Sequence, residues 1–364
     1  MRDPRSGEVA LGLTPSGGVD APQREYLNGP HIWWSARHER LFEMDLCEGP
    51  YAFRSPDSGS SLERERVALT DPHDSRYCDS VLGAADPEGR HFYSANPWDY
   101  GVVLIRADTP TRMSVAQVVS DRGTPGADRL VVPNLGATVD LALSPDGRHL
   151  YLLTGNGLFA FRSDPTTGRL ERAGDVLRNN DPDGPFYEMG DLRDVAVDAN
   201  GDTVFVAGAR TASSGILDSA VAVFDIGADA ARPAHLHTLT RMHFEQDLDA
   251  VRASSHLKPD LYGAFYSCER IEPHGHLPAV DVFCRNGYYV VRYNALTRAL
   301  EVSDFAKSGS DDRFGSAVPA LGAVGRQWAQ SPDGAHVYTA NSATRDALSD
   351  EIHLFERASA VPAN

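Results

Sequence analysis

The sequence predicts an all-β protein, a β-propeller of four-stranded blades, because one hairpin turn, the strands around it and their spacing recur along the chain. The unit is clearest over residues 139–171, where apolar and polar residues alternate in short runs separated by two turns. The turns read Ser144-Pro-Asp-Gly147 and Gly155-Asn-Gly157, compositions that join antiparallel strands. A fourth strand is predicted at 168–171.

Each part of this unit occurs again. The hairpin returns as Asp86-Pro-Glu-Gly89, Asp198-Ala-Asn-Gly201 and Ser331-Pro-Asp-Gly334. The third strand occurs six times, with last residues that lie 52, 56, 63, 67 and 64 positions apart: Arg54, Arg106, Arg162, Asp225, Arg292 and Glu356. A four-stranded unit with this period is typical of a propeller blade, which buries both of its faces only by stacking on other blades.

We expect one domain over residues 1–364, with six blades counted and a seventh left open. The predicted blades span roughly 24–76, 77–134, 135–187, 188–243, 244–310 and 311–364. The last copy ends without a fourth strand, whereas residues 2–11 resemble the strand at 163–171. The expectation is that residues 1–23 hold a closing strand and lead-in that complete the C-terminal blade, and that the chain is whole.

The chain is acidic, with 34 basic against 51 acidic residues and a formal net charge of −17. Such a surface repels phosphate backbones and anionic lipids, which argues against nucleic-acid and membrane partners. No apolar run reaches the ~20 residues of a membrane span, and the start has no signal-peptide pattern. We expect a monomer with a small-molecule ligand, cytoplasmic in location, or secreted if a leader has been removed.

The four cysteines, Cys47, Cys78, Cys268 and Cys284, contain no C-x-x-C pair of the kind found in zinc and redox sites. Buried free thiols are the ordinary interpretation of such residues. Bridges from Cys268 to Cys284, which flank one loop, and from Cys47 to Cys78 are the alternative.

Repeat geometry predicts where a site would lie. The first strand of each propeller blade lines the central channel, so equivalent residues of the copies converge there. Counting back from each hairpin glycine and aligning the remaining copies gives one set of channel residues: His31, Leu82, Asp140, Asp194, Asp249 and Gln327. Asp260 replaces Asp249 if the first strand of the fifth copy lies at 262–266 rather than at 249–252. The neighbouring channel position holds Arg193 and Arg326.

These residues support two functional interpretations and one structural interpretation. In the first, His31 or an aspartate is a catalytic base and Arg193 and Arg326 hold a carboxylate or polarise a carbonyl. In the second, Asp140 and Asp194 bind a divalent cation such as Ca²⁺ or Mg²⁺, the only cofactor that the sequence suggests. In the structural interpretation, these polar groups hydrate the channel or cap strand ends.

Other motifs add ligand contacts or point to loops. Trp98 and Tyr100 lie in a hairpin loop and are predicted, with Gln327 and Asp249, to contact a ligand. The segments 179–184, 235–237 and 274–276 are interpreted as a turn and as structural histidines rather than metal sites. No Gly-x-Ser-x-Gly elbow, Walker loop or Gly-x-Gly-x-x-Gly motif occurs, so serine-hydrolase and nucleotide chemistry have no support.

The segment Ser331-Pro-Asp-Gly-Ala-His-Val-Tyr338, followed by Thr-Ala-Asn-Ser342 and Ile352-His-Leu-Phe355, resembles the YVTN-type repeat. That repeat characterises the lactonase-like propeller family, which includes 6-phosphogluconolactonase. The resemblance covers the second, third, fourth and sixth copies and implies a seven-bladed propeller with lactonase-like activity. Innermost strands of the family often open with Pro-Arg-His; the matching triplets here are Thr138-Val-Asp140, Leu192-Arg-Asp194 and Gly325-Arg-Gln327.

The function expected from the sequence is an enzyme that acts on a small polar or lactone- or ester-like molecule at the channel mouth, by acid–base or metal-assisted chemistry. One alternative is a non-catalytic propeller that binds a protein or glycan. The other is a lyase or bond-forming enzyme of specialised metabolism on the same scaffold.

Overall fold

A computed structural model describes residues 31–35, 37–45, 49–54, 63–70, 82–96, 101–174, 177–179, 184–186, 189–211, 217–226, 233–240, 268–274, 278–284, 287–307, 327–330, 336–340 and 352–356. In these ranges every regular element is a β-strand, which confirms the all-β prediction. None of the described segments is a helix that could cross a membrane. The strands fall into two compact units, one formed by the chain up to Val131 with Thr166–Arg169 and one formed by the rest.

In the part of the first unit that the structure describes, the strands form two sheets. Sheet 1 has the order β1 (His31–Ser35), β2 (Arg40–Asp45), β3 (Gly49–Arg54), β4 (Glu63–Arg66). Sheet 2 has the order β6 (Leu82–Ala85), β7 (His91–Asn96), β8 (Gly101–Thr109), β9 (Arg112–Ser120). Two short strands, β5 (Ala68–Thr70) and β10 (Arg129–Val131), pair in parallel with β9 and cover the outer edge of sheet 2.

The described residues of the second unit form four sheets. Sheet 3 has the order β11 (Thr138–Leu143), β12 (His149–Thr154), β13 (Gly157–Ser163), β14 (Leu170–Arg172), with β15 (Leu177–Arg178) also paired to β13. Sheet 4 has the order β16 (Asp191–Val197), β17 (Thr203–Thr211), β18 (Leu217–Asp225), β19 (Ala234–Thr240). Sheet 5 has the order β20 (Cys268–Pro273), β21 (Ala279–Cys284), β22 (Gly287–Asn294), β23 (Ala299–Lys307), and sheet 6 has the order β24 (Gln327–Gln330), β25 (His336–Ala340), β26 (Ile352–Glu356).

The six recurring segments identified in the sequence are each the third strand of one of these sheets, in antiparallel order. Sequence repetition therefore locates the sheets correctly. Residues 1–30, on which the closure prediction rests, lie outside the described part of the chain. Closure, the number of blades and the boundaries within residues 1–364 stay predictions.

The hairpin between the first and second strands has the same main-chain bonds in four sheets. The N–H of Asp86 donates to the carbonyl of His91 at 2.9 Å, and the corresponding bonds start from Ser144, Asp198 and His274. In sheet 3 the turn ends at Gly147 with φ of 71°, a conformation that favours glycine.

Sheet 5 corrects the prediction for the fifth copy. Its first strand is Cys268–Pro273 and not either of the segments 249–252 and 262–266. The physical reason is that the sequence between β20 and β21, residues 274–278, lacks the Pro-Asp-Gly signal used for counting. The two aspartates chosen for this copy, Asp249 and Asp260, lie outside the described residues.

Sheet 4 is buried on both faces. One face packs on sheet 3 through residues such as Phe224 and Val206, and the other packs on sheet 5 through residues such as Phe205 and Val221. These side chains are fully buried, and each stabilises the fold by roughly 1.5–3 kcal/mol. Burial on both faces explains why β17 and β18 are continuous apolar runs rather than alternating ones.

A disulfide joins the first two strands of sheet 5. Cys268 on β20 lies directly opposite Cys284 on β21, 16 residues further along the chain. Both residues are buried, and the N–H of Cys268 donates to Oγ of Ser219 on sheet 4 at 2.8 Å. This bridge is one of the alternatives left open by the sequence; Cys47 and Cys78 lie outside the described residues.

Replacing Gly157 by alanine is expected to destabilise the protein by roughly 1–3 kcal/mol. Gly157 has φ of 138°, and a Cβ there would lie 2.0 Å from the carbonyl oxygen of Leu177. Urea unfolding measures the loss. Gly155→Ala is the matched control because a Cβ at Gly155 meets nothing within 4 Å; equal stability of the two variants would contradict this account.

Candidate active site

The first strands of sheets 3, 4 and 5 share one irregularity. Each has a β-bulge, between Thr138 and Asp140, between Leu192 and Asp194, and between Cys268 and Arg270. A bulge places one extra residue in a strand and redirects the side chains that follow it. Asp140, Asp194 and Arg270 are therefore structurally equivalent residues of three consecutive sheets.

The structure brings Asp140 and Asp194 together, as the repeat geometry predicts. The N–H of Val195 donates to Oδ2 of Asp140 at 2.9 Å and to Oδ1 of Asp194 at 3.1 Å. The N–H of Ile271 donates to Oδ2 of Asp194 at 2.6 Å. Each aspartate thus accepts from a main-chain N–H inside the next first strand, at Val195 in β16 and at Ile271 in β20.

The two carboxyl groups also interact with each other. Burial, the charge of Asp140 and a hydrogen bond to the Asp140 side chain raise the pKa of Asp194 well above its usual value. Asp194 therefore keeps a proton at pH values where an ordinary aspartate has lost it. Asp194 is only 8% exposed, whereas Asp140 is partly exposed and forms the solvent-facing side of the pair.

Arg270 and Glu272 form the accessible part of the site. They are two residues apart on β20, and Nε and Nη2 of Arg270 donate to Oε1 of Glu272 at 3.3 and 3.2 Å. Their side chains are 44% and 26% exposed. Burial raises the pKa of Glu272 to about 7, aided by the charges of Asp140 and Asp281 and opposed by Arg270. Glu272 therefore changes its charge near neutral pH.

A buried carboxylate stands behind Glu272. Asp281 on β21 lies opposite Glu272 in the strand register and is fully buried. Its Oδ1 accepts hydrogen bonds from Nδ1 of His274 at 2.5 Å and from the hydroxyl of Tyr288 at 2.8 Å. Because a carboxylate can only accept, His274 carries a proton on Nδ1 and is held by Asp281. His274 is thus a structural group of this network, not an isolated surface histidine.

The other predicted site residues are not assembled here. Arg193 is the bulge residue of β16, and its buried Nε has no hydrogen-bond partner among the described residues. His31 lies on β1 and Gln327 on β24, with side chains outside the described part of the structure. Trp98, Tyr100, Asp249 and Arg326 lie outside it entirely. Their roles stay predictions.

Sequence reasoning missed Arg270, Glu272 and Asp281. A signal for Arg270 was present, because Arg270 precedes Gly287 by the same 17 residues that separate Asp140 from Gly157. Counting back from the third strand, which has a clear match in every copy, finds Arg270 without the missing hairpin signal. Asp281 carries no comparable signal, because its partner His274 lies in a turn of irregular sequence.

Among the described residues, no group of three or more His, Cys, Asp or Glu side chains is arranged to hold a metal ion. Oδ2 of Asp140 and both carboxyl oxygens of Asp194 accept main-chain N–H donors. The cation site suggested for this pair stays a prediction.

The raised pKa of Glu272 predicts a pH-dependent stability. Below pH 4.5, the pKa of Glu272 in the unfolded chain, Glu272 is protonated in the folded and unfolded states alike. Its contribution to the unfolding free energy is then fully present. As the pH rises from there through about 7, the folded state binds more protons than the unfolded state, so stability falls.

Glu272→Gln removes the part of the pH dependence that comes from Glu272. Asp194 and Asp198, whose pKa values are also raised, are present in both proteins. We therefore expect the wild-type protein to lose stability relative to Glu272→Gln between about pH 5 and about pH 8, as measured by urea unfolding at both values. Parallel changes in the two proteins would contradict the assignment.

Comparisons with known proteins identify the fold. No family model matches the sequence, and no curated protein matches it. Among solved structures, the periplasmic gluconolactonase PpgL of Pseudomonas aeruginosa is 17% identical, with a TM-score of 0.54 over 90% of this chain and 81% of that one. A Bacteroides fragilis protein proposed to be a 6-phosphogluconolactonase is 13% identical, with a TM-score of 0.54 over 90% and 79%.

A third similar structure has a different description. It is the Cps50 (Swd1) β-propeller domain of Myceliophteria thermophila, 9% identical, with a TM-score of 0.51 over 91% of this chain and 83% of that one. At these identities the likeness concerns the fold alone. The chain has a propeller-type fold, shared by proteins with unrelated descriptions.

Proposed function

We propose that the protein is a hydrolase that opens a small lactone or ester with Glu272 as the acid–base group and Arg270 as the oxyanion-binding group. One observation carries this proposal: a partly exposed glutamate with a pKa near 7 lies 3.2 Å from a guanidinium on the same strand. A group that titrates near the working pH exchanges protons with a reacting molecule efficiently.

The reaction needs no covalent intermediate. Ionised Glu272 takes a proton from a water molecule, whose oxygen attacks the carbonyl carbon. The N–H groups of Arg270 stabilise the negative charge that develops on the carbonyl oxygen. The bond from the carbonyl carbon to the ring or ester oxygen then breaks, and that oxygen takes the proton from Glu272. The product is a hydroxy acid, or an acid and an alcohol, and Glu272 is ionised again.

The aspartate pair sets the properties of Glu272. Because the pKa of Asp194 is raised, the pair carries less negative charge than two ionised aspartates over the pH range in which Asp194 stays protonated. The charge of Asp140 still acts on Glu272 and raises its pKa. Asp140 and Asp194 are therefore positioning residues in this proposal: they hold β16 and β20 and tune the base.

The structural neighbours support the choice of substrate. One neighbour is described as a gluconolactonase and another is proposed to be a 6-phosphogluconolactonase, so a sugar-acid lactone is the first substrate to test. The YVTN-type repeat in the sequence points to the same class.

The test is hydrolysis of sugar-acid lactones, followed as proton release in a pH-stat against the spontaneous rate. Arg270→Gln is expected to lower kcat/KM by roughly 100- to 1,000-fold, because one oxyanion donor group is lost. Arg292→Gln is the matched control, since Arg292 is an exposed arginine of the same sheet that pairs with Glu301. Hydrolysis no faster than the spontaneous rate would refute the proposal.

A further inference from the structure

The charges that surround Glu272 are predominantly negative in the described part of the chain. Asp281 lies opposite Glu272 in the strand register. Asp194 accepts from the N–H of Ile271, which lies between Arg270 and Glu272. Asp140 and Asp194 accept from one and the same N–H, that of Val195. Arg270 supplies positive charge to this group, and two of its nitrogens already donate to Glu272. A ligand that enters the site therefore meets an excess of acidic groups.

An anionic ligand would be repelled at close range. Charges a few ångströms apart near a protein surface interact strongly, because little water separates them. A phosphate dianion next to Arg270 would compete with Glu272 for the guanidinium and would face Asp140 as well. A hydroxyl-bearing neutral molecule has no such penalty, since carboxylates accept its hydroxyl protons and protonated carboxyl groups donate to its oxygens.

We infer that the substrate of this site is an uncharged, polyhydroxylated lactone, and that its phosphorylated counterpart is discriminated against. This inference rests on the proposed function and names the substrate class of the same site. It distinguishes two substrates that share the reacting group and differ only in charge.

The same charges act on the product. Hydrolysis converts a neutral lactone into a carboxylate, which Asp140 and ionised Glu272 repel. The product acid is therefore released readily, and it inhibits weakly when added in excess. Charge discrimination thus favours both entry of the substrate and departure of the product.

The experiment compares kcat/KM for glucono-δ-lactone with that for its 6-phosphate. We expect the neutral lactone to be preferred at least tenfold at low salt, and the preference to narrow at about 0.5 M NaCl, where charges are screened. Asp281 is buried and does not contact the substrate. Asp281→Asn removes its charge and is also expected to reduce the ratio of the two kcat/KM values. Equal or better turnover of the phosphorylated lactone would overturn the inference.

A binding measurement makes this test independent of turnover. Ligand-observed NMR with glucitol and glucitol 6-phosphate uses molecules that cannot be hydrolysed. Binding of glucitol alone supports the charge preference. If no lactone is opened in that case, the proposed function fails and the preference for an uncharged polyhydroxylated ligand stands. Binding of the phosphate alone, of both equally, or of neither overturns the inference.

Discussion

Glu272→Gln is expected to lower the rate of lactone hydrolysis by about 100- to 10,000-fold, the usual contribution of a general acid–base group. Glutamine keeps the shape of the side chain and one oxygen that can accept from Arg270, but it cannot take a proton from water. The loss should appear in kcat rather than in KM, since the substrate can still bind. Initial rates in the pH-stat provide the measurement.

The control for this variant is Glu301→Gln. Glu301 is a glutamate of the same sheet that pairs with an exposed arginine, Arg292, and its replacement removes the same charge away from the site. We expect the activity of Glu301→Gln to match that of the wild type. If Glu272→Gln kept more than about a tenth of the activity, Glu272 would not be the acid–base group.

Removing the disulfide is expected to cost about 3 kcal/mol of unfolding free energy. Cys268 and Cys284 close a loop of 16 residues, and the bridge stabilises the fold mainly by limiting the freedom of that loop in the unfolded chain. The variant is Cys268→Ala/Cys284→Ala, measured by urea unfolding beside the wild type. Treatment with dithiothreitol should lower the unfolding free energy of the wild type and leave the unfolding free energy of the variant unchanged.

This variant should also reduce activity. Cys268 starts the bulge that ends at Arg270, so the bridge holds the segment that carries Arg270 and Glu272 against β21. A variant as stable as the wild type, under oxidising conditions, would show that the bridge contributes nothing to the fold.

Most of the fold is predictable from the periodic recurrence of one hairpin turn and one apolar strand along the sequence. The third strands are predictable because a similar apolar run recurs in each copy. In β13, β18 and β22 that run is buried on both faces. The first strand of sheet 5 is misplaced by the sequence prediction because Gly-His-Leu at 275–277 stands where two other copies have Pro-Asp-Gly. Turn residues are replaceable when the main-chain bonds of the turn are kept, as the bond from His274 to Ala279 shows.

Repetition in the sequence indicates only those residues of the candidate site that occupy equivalent positions in several copies. Equivalent positions converge, so Asp140 and Asp194 could be paired from the sequence. The pairing of Glu272 with Arg270 depends on a position two residues further along, where the other copies hold Ala142 and Ala196. A residue that appears in one copy only leaves no repeat signal, and such residues are where a repeated fold acquires a specific chemistry.

The carboxylates of Asp140 and Asp194 also determine where the number of sheets can change. Asp140 binds the main chain of sheet 4 and Asp194 binds that of sheet 5, so a tandem duplicate of sheet 4 would bring its own acceptor for the sheet that follows. If sheet 4 were deleted, Asp140 would become the acceptor for the N–H of Ile271, which Asp194 now binds. Arg270 has no acceptor atom, so a sheet that follows sheet 5 in the chain, as sheet 6 does, receives no such contact from this position. A duplicated copy of sheet 4 would keep the main-chain contact between successive first strands, whereas a duplicated copy of sheet 5 would not provide it.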